Sequence, residues 1–169
     1  MKIILLSLLL LTAGPYALAQ STWRPATERE LEKAIPKQAP VVNEHIETEM
    51  RSASGVTDGH GKFIAAVVLI TAGYSAEGKY SYFFTTQVPI KVGDIAFSPG
   101  DYLFGSKRVQ DDTLTITFYE AATGKLLGSV DAKRETKRGA IRSIQVVPPQ
   151  DGKGSIKIGR FAFDYSQVK

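Results

Sequence analysis

The chain of 169 residues contains no cysteine. It therefore has no disulfide, no cysteine-bound zinc, no iron–sulfur cluster and no thiol nucleophile. We also expect no lipoprotein anchor, because lipidation at a cleavage site needs a cysteine. If the protein is exported, the absence of disulfides favours a bacterial source, since secreted animal domains of this size more often carry them.

Several catalytic and nucleic-acid-binding signatures are also missing. The sequence has no G-x-S-x-G elbow for a serine nucleophile and no phosphate loop between a strand and a helix. The formal net charge of +4 is too small to require a polyanionic partner, and no nucleic-acid-binding module is recognisable. We therefore expect no nucleic acid among the partners and no cofactor.

The N-terminus has the pattern of a secretory signal peptide. Lys2 precedes the apolar run 3–11, and Ala17-Leu18-Ala19 is an A-x-A cleavage signal, so residues 1–19 are expected to be removed. The apolar run is shorter than the roughly 20 residues that span a bilayer, so we expect no stable membrane span after cleavage. The predicted location is the periplasm or the extracellular space.

Residues 20–43 are interpreted as a lead-in segment with one short helix. Thr27 and Glu30 have the spacing of a capping box, and Pro36 ends the helix because proline lacks an amide hydrogen. Residues 44–169 are predicted to form a single domain.

That domain is predicted to be all-β. Residues 63–71 form a continuous, β-branched-rich run, which indicates a central strand covered on both faces. Residues 113–119 alternate as a half-buried strand, and residues 141–147 and 155–165 are expected to form a last hairpin. About eight or nine strands without intervening helices predict a mainly antiparallel β-sandwich or small barrel.

A turn-into-strand motif carries the one family resemblance. The segment 97–104, with Pro99, Gly100 and Tyr102, resembles the Pro-Gly-x-Tyr turn of prealbumin-like and carboxypeptidase-regulatory-like β-sandwich domains, and of small secreted bacterial proteins of unassigned function. The Thr123-Gly124-Lys125 hairpin is similar to one in those domains, which there precedes the Pro-Gly-x-Tyr turn. The resemblance implies a non-catalytic sandwich module. Gly100 itself is expected to have the positive φ of a type II turn.

Three aromatic residues are candidate binding residues. Tyr80, Tyr82 and Phe84 alternate along one predicted strand and are expected to face the same side. An exposed face would be a platform for sugar rings or a partner protein, whereas a covered face would be part of the core.

The densest positive stretch is the second candidate. Lys133, Arg134, Lys137 and Arg138 are expected to lie in a basic loop. They would form an anion site for phospholipid headgroups, lipopolysaccharide or a polyanionic glycan. The alternative is a solvated hairpin loop.

The two histidines, His45 and His60, are the remaining candidates for chemistry. On a strand, His45, Glu47 and Glu49 would share a face, and His60 would come from the next turn. Because no H-x-H or H-E-x-x-H spacing accompanies them, we predict no metal site.

These patterns favour an exported, non-catalytic protein of the bacterial envelope. It would be a binding or accessory module of unknown ligand, with an envelope protein or a glycan as its partner. One alternative is a hydrolase or metal-dependent enzyme centred on His45 and the nearby glutamates. Another is a structural envelope protein that assembles through an exposed sheet edge.

Overall fold

The computed structural model describes residues 23–71, 73, 78–136 and 139–168, and the predicted signal peptide of residues 1–19 lies outside them. In chain order the elements are β1 (Arg24–Pro25), α1 (Glu28–Ala34), β2 (Gln38–Val41), β3 (Glu44–Thr57), β4 (Phe63–Leu69), β5 (Tyr82–Thr86), β6 (Ile90–Val92), β7 (Ile95–Phe97), β8 (Gly100–Gln110), β9 (Thr113–Glu120), β10 (Leu126–Arg134), β11 (Arg142–Gln150), β12 (Lys153–Gly159) and β13 (Phe161–Gln167). Within this described part, no helix has the length and apolarity needed to cross a membrane.

The strands form one antiparallel sheet that curls into a nearly closed barrel. Its order is β1-β3-β4-β5-β8-β9-β10-β13-β12-β11, while β2 pairs with β3, and β6 pairs with β13 and β7. The predicted all-β, mainly antiparallel fold with a short N-terminal helix is thus confirmed. The strands outnumber the expected eight or nine partly because β1, β2, β6 and β7 are too short to show a clear sequence pattern.

The last predicted strand, residues 155–165, is wrong in one respect, because it divides into β12 and β13. Ile158 pairs with Phe161, so Gly159 and Arg160 alone make the turn between the two strands. Gly159 has a φ of 58°, a left-handed conformation that glycine adopts without steric cost. The three-stranded unit β11–β12–β13 therefore replaces the single hairpin expected from the sequence.

The barrel closes where β11, the last strand of the order, meets β3, the second strand of the order. Here the backbone N–H of Val146 donates to Oγ of Ser54 at 2.9 Å. Strand β1, which pairs with β3 through Arg24 and Pro25, also contacts β11. At this point of the seam, the two strands are therefore joined by a side-chain hydrogen bond. The neighbouring strands in the strand order are instead joined by backbone hydrogen bonds.

Aromatic side chains fill the interior of the barrel. Phe104 and Phe118 are fully buried, with ring centroids 5.4 Å apart, and Phe97 meets Phe118 edge to face at 5.1 Å. Phe84 and Phe163 extend the same cluster. As in other small barrels, the interior is a packed core.

A second core covers part of the outer surface of the barrel. Leu31 and Ile35 of the α1 region pack with Val67, Phe83 and Leu103, which face outward from β4, β5 and β8. Strand β4 is therefore covered on both faces, as its continuous apolar sequence predicts. The segment interpreted as a lead-in thus packs on the sheet and pairs with β3 through β1 and β2.

The helix α1 is held by the predicted capping box. The backbone N–H of Thr27 donates to Oε2 of Glu30 at 2.8 Å, and Arg24 forms an ion pair with Glu30 at 2.8 Å. The hydrogen bonds from Arg24 and Thr27 lower the pKa of Glu30 to about 2. Pro36 follows the last helical turn, in agreement with its expected role as a stop signal.

The expected type II turn at Gly100 is wrong. Gly100 is the first residue of β8 and pairs with Thr86, and its φ lies outside the left-handed region. The preceding chain is held by a different contact, because the Tyr102 hydroxyl donates to the carbonyl of Ser98 at 2.7 Å. Pairing with β5 requires an extended backbone, and this requirement overrides the local turn signal of Pro99-Gly100.

Candidate functional site

The aromatic candidates belong to two different cores. Tyr82 stacks on Phe104 inside the barrel, with ring centroids 4.8 Å apart, and Phe84 is fully buried in the same cluster. Tyr80 precedes β5 with a φ of 48°, and its ring packs edge to face against Tyr119 in the outer core. The expectation that all three share one face is therefore wrong, because the positive φ turns the chain between Tyr80 and Tyr82. A binding role for these residues stays a prediction.

Two of the basic candidates, Lys133 and Arg134, are the last residues of β10, so the expected loop begins later. Lys133 Nζ donates to Oγ1 of Thr113 at 2.8 Å. The guanidinium of Arg134 lies 5.5 Å from the centre of the Phe161 ring, and that of Arg108 lies 5.1 Å from it. These cations are thus held against the barrel.

The other two basic candidates, Lys137 and Arg138, lie outside the described residues. An anion-binding role for any of the four stays a prediction.

Antiparallel pairing brings many basic side chains to one end of the barrel, which we call the basic end. The β8–β9 hairpin, the end of β10, the β12–β13 turn and the start of β11 all meet there. Two backbone hydrogen bonds tie these segments together, from Arg134 to Asp112 at 2.9 Å and from Glu135 to Arg160 at 2.8 Å. Among the described residues, the basic ones at this end include Arg108, Lys133, Arg134, Arg142, Lys157 and Arg160, and the acidic ones include Asp111, Asp112 and Glu135.

A cleft of about 770 Å³, here called the basic cleft, opens at this end. Its lining includes Arg142, Lys157 and Arg160, which come from β11, β12 and the turn after β12. Arg142 pairs with Gly159 in the sheet, and a Cβ added at Gly159 would meet no atom within 4 Å. The missing side chain therefore leaves room beside the Arg142 position.

The charges that line the basic cleft are unevenly paired. Glu135 is held by Lys157, whose Nζ lies 2.8 Å from Oε1 and 2.9 Å from Oε2. Among the described residues, the side chains of Arg142 and Arg160 have neither a hydrogen bond nor an ion pair, and both are exposed. A guanidinium can donate two parallel hydrogen bonds to a phosphate or a carboxylate, so these two arginines are suited to an anionic ligand.

The histidines do not form a site together. His45 lies at the start of β3, and His60 lies in the turn beyond its other end. Asp58 Oδ1 accepts hydrogen bonds from the backbone of His60 at 2.7 Å and of Lys62 at 3.0 Å. Burial raises the pKa of Asp58, but these hydrogen bonds outweigh it and leave the pKa lowered. The part of the chain that the structure describes contains no group of three or more His, Asp or Glu side chains that could hold a metal ion.

A smaller groove of about 420 Å³ lies at the opposite end of the barrel, with Tyr102, Asp101 and Glu120 in its lining. Burial, followed by the charge of Glu120, raises the pKa of Tyr102. This groove thus has two carboxylates in its lining, whereas the lining of the basic cleft has one, Glu135.

The sequence analysis missed Arg142, Lys157 and Arg160 as site residues. The three belong to separate strands and a turn, and only the register of β11 with β12 brings them together. The usable signal was Gly159-Arg160, since glycine at the first position of a two-residue turn is typical of type II′ hairpins.

Comparisons with protein-family models, with curated protein sequences and with solved structures gave no match to this chain. The chemistry of the basic cleft is therefore the guide to a ligand.

Proposed function

We propose that this chain is an exported, non-catalytic binding or accessory protein of the bacterial envelope, with the basic cleft as its contact surface. The observation that carries the proposal is the pair Arg142 and Arg160, which lack partners among the described residues beside a carboxylate, Glu135, already held by Lys157. The guanidinium groups of Arg142 and Arg160 are therefore available to bind an anion.

Two features favour binding over catalysis. A small-molecule active site needs a cavity into which acid–base groups converge. In this barrel the interior is filled by phenylalanines, and His45, at the start of β3, is separated by the length of that strand from His60, in the turn after it. The resemblance to non-catalytic sandwich domains points the same way.

The location in the envelope is supported by the sequence. The apolar run 3–11 and Ala17-Leu18-Ala19 have the order and length of a secretory signal. The absence of cysteine accords with a bacterial exported protein, whose stability can rest on its core alone.

N-terminal sequencing and cell fractionation test this proposal. We expect the protein in the periplasmic or secreted fraction, with Gln20 as its first residue, because signal peptidase cleaves after an A-x-A sequence. A Leu18→Ala variant, which keeps small residues at both specificity positions, is the matched control and should be processed at the same bond. A cytoplasmic protein, or one that retains residues 3–11 after export, would contradict the proposal.

A further inference from the structure

Two large apolar side chains are exposed at the basic end. Ile141, which lines the basic cleft, is 58% exposed, and Val109 of the β8–β9 hairpin is 53% exposed. Ile141 precedes Arg142 directly, and Val109 follows Arg108 directly. Each apolar residue is therefore adjacent in sequence to an arginine at the same end of the barrel.

We propose that the basic end docks on an anionic phospholipid surface. Arg142 and Arg160 would bind lipid phosphates, and Ile141 and Val109 would enter the boundary between headgroups and acyl chains. The inference rests on the proposed function and names the partner of the same cleft.

Charge and apolarity together favour a lipid surface over a soluble anion. Free phosphate or a polar glycan would satisfy Arg142 and Arg160 but would leave Ile141 in water. A phospholipid surface offers phosphate oxygens at the height of the guanidinium groups and apolar carbons just below them. The contacts of Lys133 with Thr113 and of Arg134 with Phe161 hold two further charges at the same end, where they would add long-range attraction.

Co-flotation with lipid vesicles tests the inference. The protein is purified from the fraction that contains it and its N-terminus is determined, so that localisation is measured separately. We expect binding to phosphatidylcholine vesicles that contain phosphatidylglycerol, weakening as salt is added, and little binding to phosphatidylcholine alone. Equal binding to both vesicle types would overturn the inference, because binding through the basic end depends on lipid charge. Binding through an uncleaved apolar leader would not depend on it.

The double variant Arg142→Ala/Arg160→Ala tests the phosphate contacts. Each basic side chain near an anionic surface adds about fivefold to the partition coefficient, so we expect a loss of roughly 30-fold. Lys125→Ala/Lys153→Ala, which removes two exposed lysines at the opposite end, is the matched control and should bind as the wild type does. Retained binding by the arginine variant, with both variants folded by circular dichroism, would refute the assignment.

The apolar contribution is tested by Ile141→Ser. We expect roughly tenfold weaker partitioning, because burial of this side chain in the interface is lost. Leu126→Ser is the control, since Leu126 is 60% exposed at the other end of the barrel. Equal binding of wild type and Ile141→Ser would overturn the insertion of Ile141.

Calorimetry with soluble glycerol phosphate separates the two sources of phosphate. Weak or absent heat together with vesicle binding supports the lipid surface. Tight binding of glycerol phosphate without vesicle binding overturns it and leaves a soluble phosphate ligand for the same arginines. In either case the localisation result decides the proposed function separately. An exported protein with Gln20 at its N-terminus supports the proposed function, whereas a cytoplasmic protein contradicts it.

Discussion

The absence of a side chain at Gly154 leaves the space that the Tyr165 ring occupies. The two residues pair across β12 and β13, and a Cβ at Gly154 would overlap the Tyr165 ring. The ring is buried, and its hydroxyl donates to the carbonyl of Val147 at 2.8 Å. Burial raises the pKa of this tyrosine. Glycine at position 154 is thus required by close approach, since its φ is not left-handed.

We predict that Gly154→Ala lowers the free energy of unfolding by about 1–3 kcal/mol, as expected when a methyl group is forced against a packed side chain. Gly100→Ala is the matched control. A Cβ there meets the Tyr102 ring at 3.6 Å or more, which is ordinary contact, so the change should stay within about 0.5 kcal/mol. Urea denaturation of both variants measures the difference, and equal effects would contradict the packing argument.

At the level of elements, α1 depends on a charged contact with β1. The carboxylate of Glu30 accepts hydrogen bonds from the guanidinium of Arg24 and from the backbone N–H of Thr27. These bonds connect the start of the helix to the first strand.

We predict a pH-dependent effect of Glu30→Gln. Folding lowers the pKa of Glu30 from 4.5 to about 2, so the ionised carboxylate stabilises the folded state above pH 4.5. This contribution is lost as the pH falls through about 2. The Tm of the variant should therefore lie below that of the wild type at pH 7, and the difference should vanish near pH 2.

Thermal melts at both pH values test this prediction. Glu32→Gln removes the same charge at an exposed position of the same helix, without an ion pair among the described residues, and should leave the Tm almost unchanged. A Tm difference for Glu30→Gln that persists at pH 2 would show that the ion pair is not its cause.

The elements that the sequence predicted well are those whose pattern is local. The capping box of Thr27 and Glu30 defines α1, and the unbroken apolar run 63–71 contains β4. Where tertiary pairing decides the backbone, the local pattern failed, as at Gly100, which strand pairing holds in β8. The predicted orientation of Tyr80 was wrong for a different reason, since a tyrosine side chain gives no indication of a positive φ.

The set of basic residues at the basic end was only partly predictable for the same physical reason. Lys133 and Arg134 were found because they are adjacent in sequence, whereas Arg142, Lys157 and Arg160 become neighbours only through strand register. A shift of one residue in that register would turn the side chains of a strand to its other face. The sequence alone does not specify such a register.

At the scale of the whole molecule, the seam between β3 and β11 differs from the other strand contacts of the barrel because a side chain takes part in its hydrogen bonding. Ser54 Oγ accepts from Val146 N–H there, so a single hydroxyl takes the place of a backbone carbonyl.

We predict that Ser54→Ala lowers the free energy of unfolding by about 1–2 kcal/mol, because the partly buried Val146 amide loses its acceptor. Its amide should also exchange hydrogen faster, as measured by exchange with mass spectrometry. Ser129→Ala is the control, since Ser129 shares an exposed hydrogen bond with Thr117 and should change stability by less than about 0.5 kcal/mol. Similar losses for both variants would show that the seam does not depend on this bond.

The seam also has a consequence for how fast the chain reaches its native state. Ser54 and Val146 are 92 positions apart, so the contact that completes the barrel is among the most non-local in the molecule. Chains dominated by non-local pairings fold on the millisecond to second timescale, because the entropy of closing a long loop must be lost before the contact forms. The growing polypeptide cannot make this contact before β11 is synthesised, so an incomplete chain stays open. If the chain is exported unfolded, as the proposed function requires, that delay would keep it competent for transport.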